Sequence, residues 1–333
     1  MILKFSIFVL QKIIKITTMK KNLVLFVLIL FVIPIKSQSV KWSPEDIQLL
    51  TKSWEGERLP DGRPKVSDNH LARLKSVTIE EAWEFLRAKG YENQFENFSG
   101  TNENSWVIIH PEQEMIGRVM TAQYMPMRFD FDDYLQEAGK KQGINRVNNN
   151  LPVSSLSEGD VYVADAFGKI SDGTLLGDAV GGSVFRNSKQ GVIFNGSVRK
   201  LEALAEIEGF NAWIRGFDPS AISGLVCASV NAPIRIGRVT VIPGDVVIAR
   251  RSGVIFIPPQ FVLELLLSVE VAAIRNTFNA QRRAGTIDNS IDFNTWVNGQ
   301  TNLPIPKEEV VSYLKQQEQA SQQPQQPARS QRQ

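Results

Sequence analysis

The 333-residue chain holds one cysteine, Cys227, and two histidines, His70 and His110. A lone thiol excludes an intramolecular disulfide and a cysteine-rich metal cluster. The histidines lack HxxH or HxxxH spacing, which argues against an imidazole-based zinc site. Acid is missing from residues 1–37, which carry six lysines and no Asp or Glu. The apolar run Leu23–Ile35 has 13 residues, short of the roughly 20 that cross a bilayer. Met19-Lys20-Lys21 precedes that run and Ser37-Gln38-Ser39 follows it, the layout of a signal peptide, with Met19 as the expected true start. The alternative is an uncleaved N-terminal anchor. An export signal implies a periplasmic or secreted protein that meets the membrane only through this segment. Without residues 1–37 the chain has 31 basic residues against 35 acidic ones, a net charge near −4. A mildly acidic protein of this kind is not expected to bind nucleic acid.

Past the signal, residues 38–100 read as a helical region. Ser43-Pro44-Glu45-Asp46 is a helix start, and Val77, Ile79, Ala82, Phe85 and Leu86 recur at helical spacing. Residues 101–260 switch to short β-branched runs between glycine turns, among them Val161–Ala164, Val192–Phe194, Val246–Ala249 and Val254–Ile257. Helices are expected near Thr174–Phe185 and Val198–Ile207, and turns at Pro243-Gly244-Asp245 and Arg251-Ser252-Gly253. Residues 261–314 return to helix as a C-terminal arm. Residues 315–333 hold nine glutamines with Pro324 and Pro327, a composition expected to be disordered. The class is α/β, or layered β/β/α, with helical arms at both ends.

Two segments could carry chemistry. Gly173 to Val180 places glycines before a helix start, where free N–H groups and the helix dipole favour an anion. An ordinary glycine-containing loop reads the same way. Gln190 to Lys200 reads as a buried strand, a tight Asn195-Gly196 turn and a helix opening at Ser197. Arg199 and Lys200 would then sit in the first helical turn, where two cations oppose the dipole by about 0.3–1 kcal/mol each unless an anion accompanies them. A guanidinium grips a carboxylate with two parallel hydrogen bonds. It could equally be tied up as a structural bridge to Glu202 or Asp178. Asp165 is expected at a strand end, Trp213 in the core or an interface, and Cys227 as a small buried hydrophobe.

The segments GDVYVAD (159–165), LLGDAV (175–180), GVIFNGSVRK (191–200), GFNAWIRGFDP (209–219) and VTVIPGDVVIARRSGVIFIP (239–258) resemble, in order and spacing, the RraA-like family. That family takes in the regulator of ribonuclease activity A and the 4-hydroxy-4-methyl-2-oxoglutarate aldolases. The resemblance implies a swivelling β/β/α fold, a homotrimer or hexamer with sites between subunits, and a pyruvate-type aldolase or oxaloacetate decarboxylase. It assigns Gly177, Asp178, Ala179 and Val180 to the substrate loop, and Arg199 to the carboxylate or enolate of a ligand such as pyruvate or oxaloacetate. The catalytic set it implies is Arg199, Asp178 and Lys200.

The family's aldolases follow that arginine with an aspartate that holds a divalent cation, Mg²⁺ or Mn²⁺. This chain has Lys200, which donates and cannot ligate a metal, so no metal ligand is assigned. Ala249-Arg250-Arg251 likewise stands where an acidic residue is usual. Were both changes in one cleft, two acids would have become two bases. The chain then reads as a lyase with an altered site, or as an inactive carboxylate-binding or regulatory oligomer of the same fold.

Overall fold

The computed structural model describes residues 40–99 and 105–322. The expected signal peptide of residues 1–37, its Met19 start and the end of the glutamine-rich tail lie outside them. The elements are, in order, α1 (Pro44–Leu50), α2 (Asp68–Arg73), α3 (Ile79–Ala88), β1 (Phe95–Glu96), β2 (Val107–Ile108), β3 (Met115–Pro126), α4 (Phe129–Lys141) and α5 (Asn150–Ser154). Then come β4 (Asp160–Lys169), α6 (Asp178–Ser188), β5 (Val192–Val198), α7 (Leu201–Ala205), β6 (Ala212–Ile214), β7 (Gly216–Phe217) and β8 (Leu225–Val230). Next are β9 (Ile234–Ile236), β10 (Val239–Val241), β11 (Val246–Arg250) and β12 (Gly253–Ile257). The arm comprises α8 (Val262–Arg283), α9 (Phe293–Gly299) and α10 (Lys307–Gln322).

The large sheet runs β1-β12-β11-β3-β4-β5-β6-β2, with β8 against β3 and β7 against β5. Strands β3, β4, β5 and β6 are parallel, whereas β11 and β8 run antiparallel to β3. Alternation along each strand sorts side chains to two faces. Tyr162, Ala164, Phe194 and Val192 join one core with Val184 of α6 and Leu204 of α7. Val161, Val163, Ile193 and Trp213 join another, closed over by Ile234, Ile236, Val239 and Val241 from the β9–β10 ribbon. This is the expected β/β/α layering. A third core packs α2, α3 and the start of α8 on Ile248, Ile255 and Ile257. The arm has its own cluster around Phe278, Phe293, Val297 and Val310.

Local chemistry explains the boundaries. Ser43 caps α1 by accepting from the Asp46 N–H, and Thr78 with Glu81 forms a capping box on α3. The Pro243-Gly244-Asp245 and Arg251-Ser252-Gly253 turns fall where expected, before β11 and between β11 and β12. Three expectations need correction. Asn195-Gly196 is no turn, because β5 runs through it. Asn195 spends its side chain on Asp165 (Nδ2 to Oδ1, 2.8 Å), and a Cβ on Gly196 would stand 3.0 Å from that of Ala166. Helix α7 therefore starts at Leu201 rather than Ser197. At the C-terminus, α10 continues to Gln322, eight residues into the segment expected to be disordered.

Candidate functional site

The parallel strands end on one side of the sheet, the side where α/β proteins commonly bind ligands. A bridge between Leu176 and Val198 there joins the two expected segments, and the Arg199 N–H donates to the Leu176 carbonyl at 2.9 Å. Gly177 is the N-cap of α6, and Asp178, Ala179 and Val180 form its first turn. The Arg199 side chain lies on Gly177, where an added Cβ would stand 3.0 Å from Cγ and 3.2 Å from Nε. Glycine at 177 is what lets the arginine approach the helix start.

Lys200 follows in the left-handed conformation, φ 54° and ψ 53°, as the N-cap of α7. That turn swings its side chain back across the strand end to Asp178, with Nζ 2.9 Å from Oδ1 and 3.1 Å from Oδ2. The Lys200 ammonium is the main cause of an Asp178 carboxyl held below its ordinary value, followed by the Ala179 N–H, with Arg199 adding to it. The bridge to Asp178 is therefore made by Lys200. Among the described residues the Arg199 guanidinium has no hydrogen bond or ion pair and stays available.

Asp165 sits inside β4 rather than at its end, and is buried. It accepts from Asn195, from Gln123 Nε2 at 3.1 Å and from the Phe167 N–H at 3.0 Å. Arg215 donates to Asn195 at 3.4 Å and lies 3.6 Å over the Phe98 ring. This buried network anchors the start of the loop that leads to Gly177. Its members are scattered through the sequence in four strands or strand ends, so spacing alone did not reveal it. Around the ledge Phe167, Ile170, Phe217 and Ile222 are exposed apolar side chains.

Arg250 does not join this site. It closes β11 beside the opposite end of β3, with Nε 2.9 Å from Glu114 and Nη2 donating to the Lys75 carbonyl at 2.8 Å. Within one chain the two lysine- and arginine-bearing changes thus face opposite ends of the strands. A cleft of about 410 Å³ opens near Arg250's end, lined by Asp68, Lys75, Glu158 and Lys189 among others. Trp213 is core, and burial pushes the Cys227 thiol up to about 12, as suits an inert hydrophobe.

The family described as RraA-like, Aldolase/RraA, matches residues 64–256, more than half of the chain. The chain belongs to the RraA-like family. Over 98 residues it is 37% identical to a Shewanella oneidensis protein provisionally named 4-hydroxy-4-methyl-2-oxoglutarate aldolase, covering 29% of this chain and 57% of that one. Over 154 residues it is 27% identical to protein DlpA of Legionella pneumophila, covering 46% of this chain and 23% of that one. The chain thus spans less than two thirds of either relative. A solved structure from Streptomyces coelicolor, an unusual member of the RNase ES inhibitor RraA protein family, aligns with a TM-score of 0.52 at 24% identity. It covers 66% of this chain and all of that one, and supports the fold alone.

The divalent cation that this RraA-like resemblance implies finds no matching donor set. Position 200 offers an ammonium, and that ammonium already bridges both oxygens of Asp178. The residues do not fit the metal.

Proposed function

We propose that the ledge binds a small oxo-carboxylate, with Arg199 gripping the carboxylate and the α6 N-terminus supplying N–H donors. The carrying observation is an Arg199 guanidinium that is unpaired among the described residues and packed on Gly177 at a helix start. Family membership and the relatives named for aldolase activity favour a 2-oxo acid as the ligand. In decarboxylation of oxaloacetate, the C3–C4 bond breaks, CO₂ leaves, and the electron pair moves to the C2 oxygen as pyruvate enolate. Protonation at C3 then yields pyruvate. Arg199 and Lys200 are the cations placed to stabilise such an enolate, with less polarising power than a metal would supply. The lyase reading therefore comes with a slow rate. The open ledge and its apolar rim favour completion by a second copy of the chain, as a homotrimer or hexamer.

Titration with oxalate, an enolate mimic, tests the binding reading. Arg199→Ala should weaken oxalate by tenfold or more, since a charged hydrogen bond contributes about 1.5–3 kcal/mol. Unchanged affinity in that variant would end the proposal. Pyruvate release from oxaloacetate and from 4-hydroxy-4-methyl-2-oxoglutarate then separates turnover from binding alone. The export reading of residues 1–37 goes with this proposal. Sequencing the N-terminus of the mature protein should find it starting near Ser37–Ser39, and an intact residue 1 or 19 would refute cleavage.

A further inference from the structure

The charges of the three candidate side chains that the two segments bring together can be summed. Asp178, Arg199 and Lys200 together carry +1. With an aspartate at position 200 the same set would carry −1, and one bound divalent cation would restore +1. A lysine reaches that total with no ion. Adding a divalent cation to the present set would raise the total to +3 around a carboxylate already occupied, which like-charge repulsion disfavours.

The geometry supports the count. Lys200 Nζ stands nearly equidistant from the two Asp178 oxygens, at 2.9 and 3.1 Å. The backbone gives no reason for lysine there. At φ 54° a non-glycine residue is strained, and Asp or Asn tolerate this region better than Lys. The position thus keeps a residue that its backbone does not favour, and whose side chain reaches the Asp178 carboxylate.

We infer that Lys200 is a tethered replacement for the divalent cation, so that this chain holds its anion with the site charge intact and without metal. The inference rests on the oxo-carboxylate reading for its ligand. A fixed ammonium keeps the electrostatic attraction for a carboxylate and gives up the Lewis acidity of a metal. It also removes any dependence of anion binding on the supply of divalent cations.

The experiment uses the mature protein and its Lys200→Asp and Lys200→Met variants, each titrated with Mn²⁺ alone and with oxalate in chelator or in excess Mg²⁺. Wild type should bind oxalate equally under both conditions and show no saturable Mn²⁺ site. Lys200→Asp should gain a Mn²⁺ site, seen as loss of the free-ion resonance signal. Its oxalate affinity in chelator should fall by about tenfold or more and return with Mg²⁺. Lys200→Met should lose oxalate affinity without recovery by metal. Oxalate binding by wild type that collapses in chelator would overturn the inference. So would a Lys200→Asp variant with no Mn²⁺ site and a melting temperature showing that it is folded. The Mn²⁺ titrations need no anion. Failure of every protein to bind oxalate would therefore sink the oxo-carboxylate reading, while the metal comparison is still read on its own.

Discussion

The carboxyl of Asp245 accepts a hydrogen bond from the Ile242 N–H at 2.9 Å and is 3% exposed, in the turn between β10 and β11. The same side chain that shapes the turn is a buried acid. Burial pushes its carboxyl up to about 7, against the downward pull of the Ile242 N–H. Its folded value lies above the unfolded one, so the folded state holds this proton longer. The contribution to stability is complete below about pH 4 and is lost as pH rises through about 7. A displacement of about three pH units corresponds to roughly 4 kcal/mol. Asp245→Asn keeps an oxygen for the Ile242 N–H and carries no proton to lose. The difference in unfolding free energy between wild type and this variant should therefore shift by a few kcal/mol in the variant's favour from pH 4.5 to pH 8. Urea unfolding at a series of pH values reads that difference, and a constant offset would contradict the assignment.

At the scale of elements, what could be read in advance follows from how local the cause is. Helix α8, Val262–Arg283, was legible as the opening of the helical arm expected over residues 261–314, because its apolar residues recur along one face. The two turns flanking β11 were legible because glycine and a short polar neighbour specify them locally. Asn195-Gly196 has the same local signature and yet lies in a strand. Its determinants are Asp165 and Ala166 on β4, some thirty residues away, which occupy the asparagine and require the glycine. That one error displaced the start of α7, and with it the reason offered for Arg199 and Lys200. The two cations do not oppose a helix dipole from within its first turn. They leave the end of β5, one lying on Gly177 and the other turning back to Asp178. The two candidate segments do meet, as their residue types suggested, whereas the pairing among their side chains depended on a left-handed turn at a lysine, which nothing local announces. The network of Gln123, Asp165, Asn195 and Arg215 was hidden for the same reason, being assembled by strand order.

At the scale of the whole molecule, one buried ion pair joins the N-terminal region to the sheet. Arg63 is fully buried; its Nη2 lies 2.7 Å from Asp160 Oδ2 on β4 and its Nε 2.8 Å from Asp61 Oδ2. It also donates to the Val119 carbonyl of β3 at 3.3 Å. Asp61 in turn accepts from Asn231 Nδ2 at 3.1 Å, past the end of β8. Residues 61–63 therefore form part of the packed fold, although the family match begins at residue 64. Burial raises the Asp160 carboxyl even with Arg63 beside it, so the arginine offsets a cost that would otherwise fall on the fold. Arg63→Met removes the cation and leaves the acid buried, which should cost about 3–5 kcal/mol. Adding Asp160→Asn removes the stranded charge while keeping an acceptor for the Ser157 N–H, now 2.7 Å from Asp160 Oδ2. The double variant should then recover a substantial part of the loss. Urea unfolding of wild type, both single variants and the double variant supplies the cycle. Strictly additive losses would mean that the pair does not couple the N-terminal region to the sheet. A large favourable coupling would make that region a condition for the fold on which the Asp178–Arg199 ledge is built.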